Sequence, residues 1–238
     1  TRYDEPVFTR GVRAIAKDRD GNLWFGTSGN GLVRFDPRSG RYRIYAHVAS
    51  DPRTLSYDNI GALWIDRAGT LWVATDFGLN RFDPATEEFR RYSPQPKSLT
   101  QYRSIAEEPG GVLWLATSSH GLHRFDPGTG TFTTFEYGLP DPRGPGHNRV
   151  NSVHVDGSGA VWAATFRGLD KFNPRDGTFK TYDSRFGLPS NTALGILEDE
   201  AGYLAGVLAA SITQTNTIGV VGGLLVVPPV ERFVEGYI

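Results

Sequence analysis

The sequence predicts an all-β chain organised as a β-propeller, and three observations carry that reading. A unit of about forty residues recurs, with its marker tryptophans Trp24, Trp72, Trp114 and Trp162 standing 48, 42 and 48 residues apart. Spacings in this range belong to repeat architectures. Within each copy, four short runs of alternating polarity are separated by Gly, Asp and Pro turns, the pattern of short antiparallel strands. Four strands per copy make a propeller blade.

Four copies are recognisable, at residues 12–45, 59–92, 102–135 and 149–182, and a fifth opens at Asn191. Residues 1–11 are a polar lead-in that either ends an earlier blade or closes the ring. In the second copy the strands are IGALWID, TLWVATD, GLNRFD and EEFRRY. One such blade exposes two apolar faces and is marginal alone, so stacking of neighbours is the driving force. Gly21, Gly69, Gly111 and Gly159 are expected in tight turns before the tryptophan strand, and Gly31, Gly78, Gly121 and Gly168 where the next strand begins. Asp36-Pro37, Asp83-Pro84 and Asp126-Pro127 end the third strand, because Asp accepts a local backbone bond and Pro presets the turn. The fourth copy keeps this chemistry without the charge, as Asn173-Pro174.

Composition narrows the function. A net charge of −1, from 25 basic and 26 acidic residues, argues against a nucleic-acid footprint or an anionic-membrane patch. Cysteine is absent, which removes disulfides, thiol catalysis and cysteine metal sites together. The lead-in TRYDEPVFTRG has no basic region followed by an apolar one, and there is no Met, so the chain reads as a fragment or a processed product.

The unit D-x-x-G-x-L-W-x-A-T-x-x-G-L-x-R-F-D-P resembles the two-component regulator propeller repeat, found in the periplasmic sensor regions of bacterial hybrid histidine kinases. The resemblance covers about residues 10–200. It implies a non-catalytic periplasmic or cell-envelope module that binds a small molecule or an oligosaccharide, or mediates association, and passes the event to a kinase. It also implies a homodimer through the propeller sides, with any membrane attachment in segments outside this chain.

The repeat breaks near Glu200. From Ala201 to Val230 no residue is charged, and no Trp or Arg-Phe-Asp-Pro follows. A membrane span is disfavoured because Thr213 to Thr217 interrupts the apolar run. The favoured reading of residues 201–238 is a short α/β fragment: a helix from about Ala201 to Ile212, a strand Thr217 to Val221, and a helix opened by Pro228-Pro229. This stretch is similar to the basic membrane protein family, nucleoside-binding components of ABC importers, which gives an alternative function as a substrate-binding protein. An isolated strand cannot bury its faces, so the rest of that domain lies beyond Ile238 or the join is recent or artificial. The latter is favoured.

Candidate chemistry is sparse, and neither a catalytic residue, a cofactor site nor a metal site is expected. Asp18-Arg19-Asp20-Gly21 opens like a calcium loop, but the equivalent turns do not keep the ligand oxygens. His120-x-x-His123 lacks a third ligand in register, and His47, His147 and His154 read as surface or hydrogen-bonded residues. A propeller lyase is a weaker alternative, because no acid/base constellation breaks the repeat. The better candidates sit where the copies differ. After Thr27, Thr75, Thr117 and Thr165 come the variable loops SGN, DF, SSH and FR. Asp76, Phe77, His120, Phe166 and Arg167 are therefore the candidate ligand contacts of a shared funnel, with Asn59, Arg103, Arg149 and Asn191 at the start of their blades. The bland alternative is a solvated rim. The connectors ahead of copies two and four are longer than the one ahead of copy three, and long connectors on a rigid scaffold tend to carry binding residues.

Overall fold

The structure, a computed structural model, describes residues 10–94, 99–138, 144–188, 190–198 and 204–207. It is all-β, with four four-stranded antiparallel sheets in which consecutive strands are neighbours. The first sheet holds β1 (Val12–Lys17), β2 (Leu23–Thr27), β3 (Leu32–Asp36) and β4 (Arg41–Tyr45). The second holds β5 (Ile60–Ile65), β6 (Leu71–Thr75), β7 (Gly78–Asp83) and β8 (Glu88–Tyr92). The third is β9 (Tyr102–Glu107), β10 (Leu113–Thr117), β11 (Leu122–Asp126) and β12 (Thr131–Phe135). The fourth is β13 (Val150–Val155), β14 (Val161–Thr165), β15 (Gly168–Asn173) and β16 (Thr178–Tyr182), followed by one 3-10 turn at Ser184–Phe186. These are blades of the propeller class.

Each blade is closed by the same local devices. The indole Nε1 of Trp24, Trp72 and Trp162 donates to Asp18, Asp66 and Asp156 at 2.8 Å, and Trp114 donates to Glu108 in the same way. The acid stands six residues ahead, in the turn between first and second strands, so it satisfies the one polar atom of a buried aromatic. At the end of the third strand, Asp36, Asp83, Asp126 and Asn173 each accept the backbone N–H two residues on, as the Asx-Pro pattern requires. Gly31, Gly78, Gly121 and Gly168 all have positive φ. A Cβ at any of them would collide with the carbonyl oxygen that ends the fourth strand, so both conformation and contact demand glycine.

The chain divides into two compact units, Thr1–Ile105 with Phe125–Phe132, and Ala106–Arg124 with Thr133–Ile238. In the first, Trp24, Leu32, Tyr45, Ile60, Val73, Phe82 and Phe89 form one core. In the second, Trp114, Leu122, Val150, Val153 and Ala163 form one cluster, and Trp162, Leu169, Tyr182, Leu188 and Ile196 another.

The fifth copy continues one strand further than the sequence suggests. Where a helix is expected from about Ala201 to Ile212, Leu204–Val207 forms strand β18, antiparallel to β17 (Gly195–Glu198). The pairs Ile196↔Gly206 and Glu198↔Leu204 repeat the register of Leu63↔Val73 and Ile65↔Leu71. Leu204 to Val207 thus occupies the place of the Leu-Trp-x-Ala segment without its tryptophan, and backbone pairing outweighs the helical tendency of the side chains. The expected strand at 217–221 and the helix at Pro228 lie outside the described residues.

Candidate functional site

The connector of residues 46–58 and the described parts of its counterpart, residues 136–138 and 144–148, are held on the second and fourth sheets by equivalent bonds. His47 N donates to Asp58 Oδ1, and Tyr137 N to Asn148 Oδ1, both at 2.6 Å. Ser56 N donates to Asn80 Oδ1 at 2.8 Å, and Gly146 N to Asp170 Oδ2 at 3.0 Å. Asn80 and Asp170 occupy the same position of the third strand and are fully buried. Two copies, rather than one, are therefore the period of this arrangement. The alternating spacing of the tryptophans and the alternating loops, three residues in SGN and SSH against two in DF and FR, are its trace in the sequence.

Each connector leaves a cleft, and the two clefts differ in lining. In the first unit a cleft of about 700 Å³ is lined by His47, Ser56, Tyr57, Phe77, Arg91 and Ser93. Tyr57 and Phe77 pack with ring centroids 4.7 Å apart, and His47 lies 6.3 Å from Tyr57. The contact of His47 Nδ1 with the carbonyl of Leu55 at 2.7 Å puts the proton on Nδ1, since a carbonyl only accepts. Arg91 donates to the carbonyls of Asp51, Thr54 and Leu55 at 2.7 to 2.8 Å, locking the connector from below.

In the second unit a cleft of about 460 Å³ is lined by Tyr137, Gly146, Arg167, Thr181, Asp183 and Arg185. Arg167 Nη1 donates to the Tyr137 hydroxyl at 2.8 Å while its guanidinium stands over that ring at 5.5 Å. Arg185 binds Asp183 through Nε and Nη2 and holds its carboxyl below the usual carboxylate range. Beneath the cleft, burial pushes Asp170 up to about 6, against hydrogen bonds from Thr181 and Gly146 and the nearby Arg167 charge. The first cleft presents aromatic faces and one cation; the second presents cations, a carboxylate and hydroxyls.

The sequence-based candidates are placed unevenly by this geometry. Phe77 and Arg167 line the two clefts. Asn59 and Asp76 are brought together instead: Asn59 Nδ2 donates to Asp76 Oδ2 at 2.8 Å. The carbonyl of Asp76 also accepts from the N–H groups of Thr100 and Gln101, so this buried residue ties loops together. Phe166 lies under the Arg149 guanidinium, 4.2 Å from its ring centre, and 5.9 Å from the ring of His147. His120 contacts its neighbour Ser119, and Arg103 sits half-buried in β9. His123 is buried, which pushes its pKa down to about 4, with the charge of His120 adding to the effect. Among the described residues no cluster of three or more His, Asp or Glu is placed to hold a metal.

Sequence reasoning did not single out Tyr57, Arg91, Tyr137, Asp183 or Arg185. They lie in the connectors, at the end of the fourth strand or just past it, and only the length of the connectors signalled that this end of copies two and four is special.

The model of the two component regulator propeller family matches residues 7–29. The chain is 31% identical over 167 residues to Histidine kinase P4 of Formosa agariphila, covering 65% of this chain and 12% of that protein. The extracellular domain assigned to a hybrid two component system of B. thetaiotaomicron superposes with a TM-score of 0.68 at 26% identity, over 82% of this chain and 28% of that one. Virginiamycin B lyase from Staphylococcus aureus superposes with a TM-score of 0.66 over 87% of this chain and 66% of that one. At 15% identity that likeness shows the fold alone. Among the described residues no helix is long and apolar enough to cross a membrane.

Proposed function

We propose that this chain is an extracellular, non-catalytic ligand-binding propeller segment of a two-component sensor. The proposed ligand is a small molecule or an oligosaccharide, taken up at the clefts beside Phe77 and Arg167. One observation carries the reading. The bonds that fix the two connectors are alike, whereas the side chains lining the clefts are not: Phe77 stands where Arg167 does, His47 where Tyr137 does, and Ser93 where Asp183 does. Positions needed for the blade are kept from copy to copy, and divergence of the side chains that line a concave rim is what recognition of one particular ligand calls for.

The kinase relative and the extracellular sensor neighbour support the signalling part of this reading, and passing the event to a kinase is part of the proposal. The pairing of β18 with β17 favours a continuing repeat over a substrate-binding protein of an importer. A thermal-shift screen of the 238-residue chain against mono- and oligosaccharides, followed by titration calorimetry of any hit, tests the assignment. Saturable binding that Phe77→Ala or Arg167→Ala weakens at least tenfold is the expected result. Binding that both variants leave unchanged contradicts the site.

A further inference from the structure

We propose that Arg81, Arg90 and the Tyr92 hydroxyl form a seat for the carboxylate of a small acidic ligand. The first copy shows the same seat filled from within the chain. Arg34 and Arg43 stand directly opposite each other on paired strands, and the Arg43 guanidinium lies over the Tyr45 ring, 5.2 Å from its centre. One carboxylate joins all three side chains. Glu87, in the turn between β7 and β8, pairs with Arg43, lies 3.7 Å from Arg34 and accepts from the Tyr45 hydroxyl at 3.1 Å.

The second sheet repeats the receiving side without the carboxylate. Arg81 stands opposite Arg90, and the Arg90 guanidinium lies over Tyr92 at the same 5.2 Å. The third-strand phenylalanine of the following copy is seated alike, with Phe82 5.4 Å from Tyr45 and Phe125 4.9 Å from Tyr92. Gly130, however, holds the position of Glu87. A Cβ at Gly130 would meet only the Tyr92 ring, at 3.7 and 4.0 Å, so the space is open. Among the described residues Arg81 and Arg90 form no ion pair, and the Tyr92 hydroxyl forms no hydrogen bond.

Strain and charge both mark the arrangement as a carboxylate site. Glu87 has φ 57°, in the left-handed region, where the other copies place Gly40, Gly130 and Gly177. A glutamate is strained there, and its bonds to the first copy hold it in place. Like charges directly opposite on paired strands repel, and nothing offsets Arg81 against Arg90 as Glu87 offsets Arg34 against Arg43. The third copy does not keep the set: Arg124 binds Glu108, Thr133 replaces the fourth-strand arginine and Phe135 has no hydroxyl. Guanidinium forks beside a phenol recognise a carboxylate through charge-assisted hydrogen bonds. Tyr92 and Gly130 also line the cleft that holds Phe77. That one ligand reaches both places rests on the function proposed above; the seat itself does not.

The test is calorimetric titration of the 238-residue chain with glucuronate and with glucose, which lacks the carboxylate. Glucuronate is expected to bind at least about tenfold more tightly. Arg90→Gln should remove that preference, and so should Gly130→Glu, which supplies a carboxylate from within. Glu87→Gly, which empties the first seat, should raise the glucuronate stoichiometry by one. Arg90→Gln leaves the turn untouched and answers the question even where Gly130→Glu does not fold. Equal affinity for the two probes, no binding of either, a preference that Arg90→Gln leaves intact, or an unchanged stoichiometry in Glu87→Gly overturns the proposal. So does self-association that Arg90→Gln abolishes, which would give the seat to a carboxylate of a second molecule. Glucose binding that Phe77→Ala weakens, without any preference for glucuronate, overturns the seat alone and spares the cleft. A glucuronate preference that survives Phe77→Ala supports the seat and separates it from the cleft.

Discussion

Trp72 Nε1 donates to Asp66 Oδ2 at 2.8 Å, and the indole behind that bond is buried between Tyr92 and Phe125. One side chain thus closes the turn of its own blade and fills the core. Trp72→Phe keeps most of the apolar volume and deletes the donor, so we expect a loss of about 1–2 kcal/mol. Trp72→Ala also opens a cavity, and about 3–5 kcal/mol is expected. Urea unfolding of the two variants measures the difference.

Two of the acids that hold a tryptophan, Asp156 and Asp18, contribute to the dependence of stability on pH. Burial raises the pKa of Asp156, but hydrogen bonds from Ser158, Trp162 and Ala160 outweigh it and the net shift is downward; Asp18 behaves likewise, through Asn22 and Trp24. A depressed folded pKa stabilises the fold above the unfolded value, about 3.9 for Asp, and that contribution is lost as pH falls through the folded value. Stability is therefore expected to drop below about pH 4, with a smaller drop in Asp156→Asn, as read by melting temperature against pH.

Asp170 works in the opposite direction. Burial lifts it to about 6 where Asn80, its counterpart, is neutral. A raised folded pKa gives a contribution fully present below the unfolded value and lost as pH rises through 6. Asp170→Asn should abolish that decline and be more stable at pH 7 by on the order of 2 kcal/mol. The measurement is urea unfolding of both proteins at pH 5 and pH 7; a variant less stable at pH 7 contradicts the assignment.

The blades were legible in the sequence because each of their devices is local: the turn glycines, the Asx-Pro turn and the two-residue alternation are all written within a few residues. The Trp72 to Asp66 bond was legible in principle, as an acid six residues before each tryptophan, but nothing in a pattern of polarity marks a side-chain pair. The site was less legible. Asp76 differs among copies as a ligand contact would, yet its variability reflects a tie to Asn59. Tyr57 and Arg185 become part of a cleft only after a connector has folded back over its sheet, which spacing alone does not encode. Gly206 and Val207 read as part of a helix until β17 offers them a partner.

The tie between Asn59 and Asp76 predicts non-additivity. Asp76→Ala and Asn59→Ala each remove the same bond between partly buried groups, at about 1 kcal/mol apiece. The double variant should cost little more than either single one, a coupling of at least about 0.5 kcal/mol. Additive losses in urea unfolding contradict the pairing.

The most direct test of a non-catalytic sensing propeller is calorimetric titration of the 238-residue chain with a ligand from the saccharide screen, the mixture then analysed for product. The account predicts one saturable binding heat, unchanged ligand after prolonged incubation, and at least a tenfold weaker Kd in Phe77→Ala or Arg167→Ala. Turnover of the ligand, or affinity indifferent to both substitutions, contradicts it.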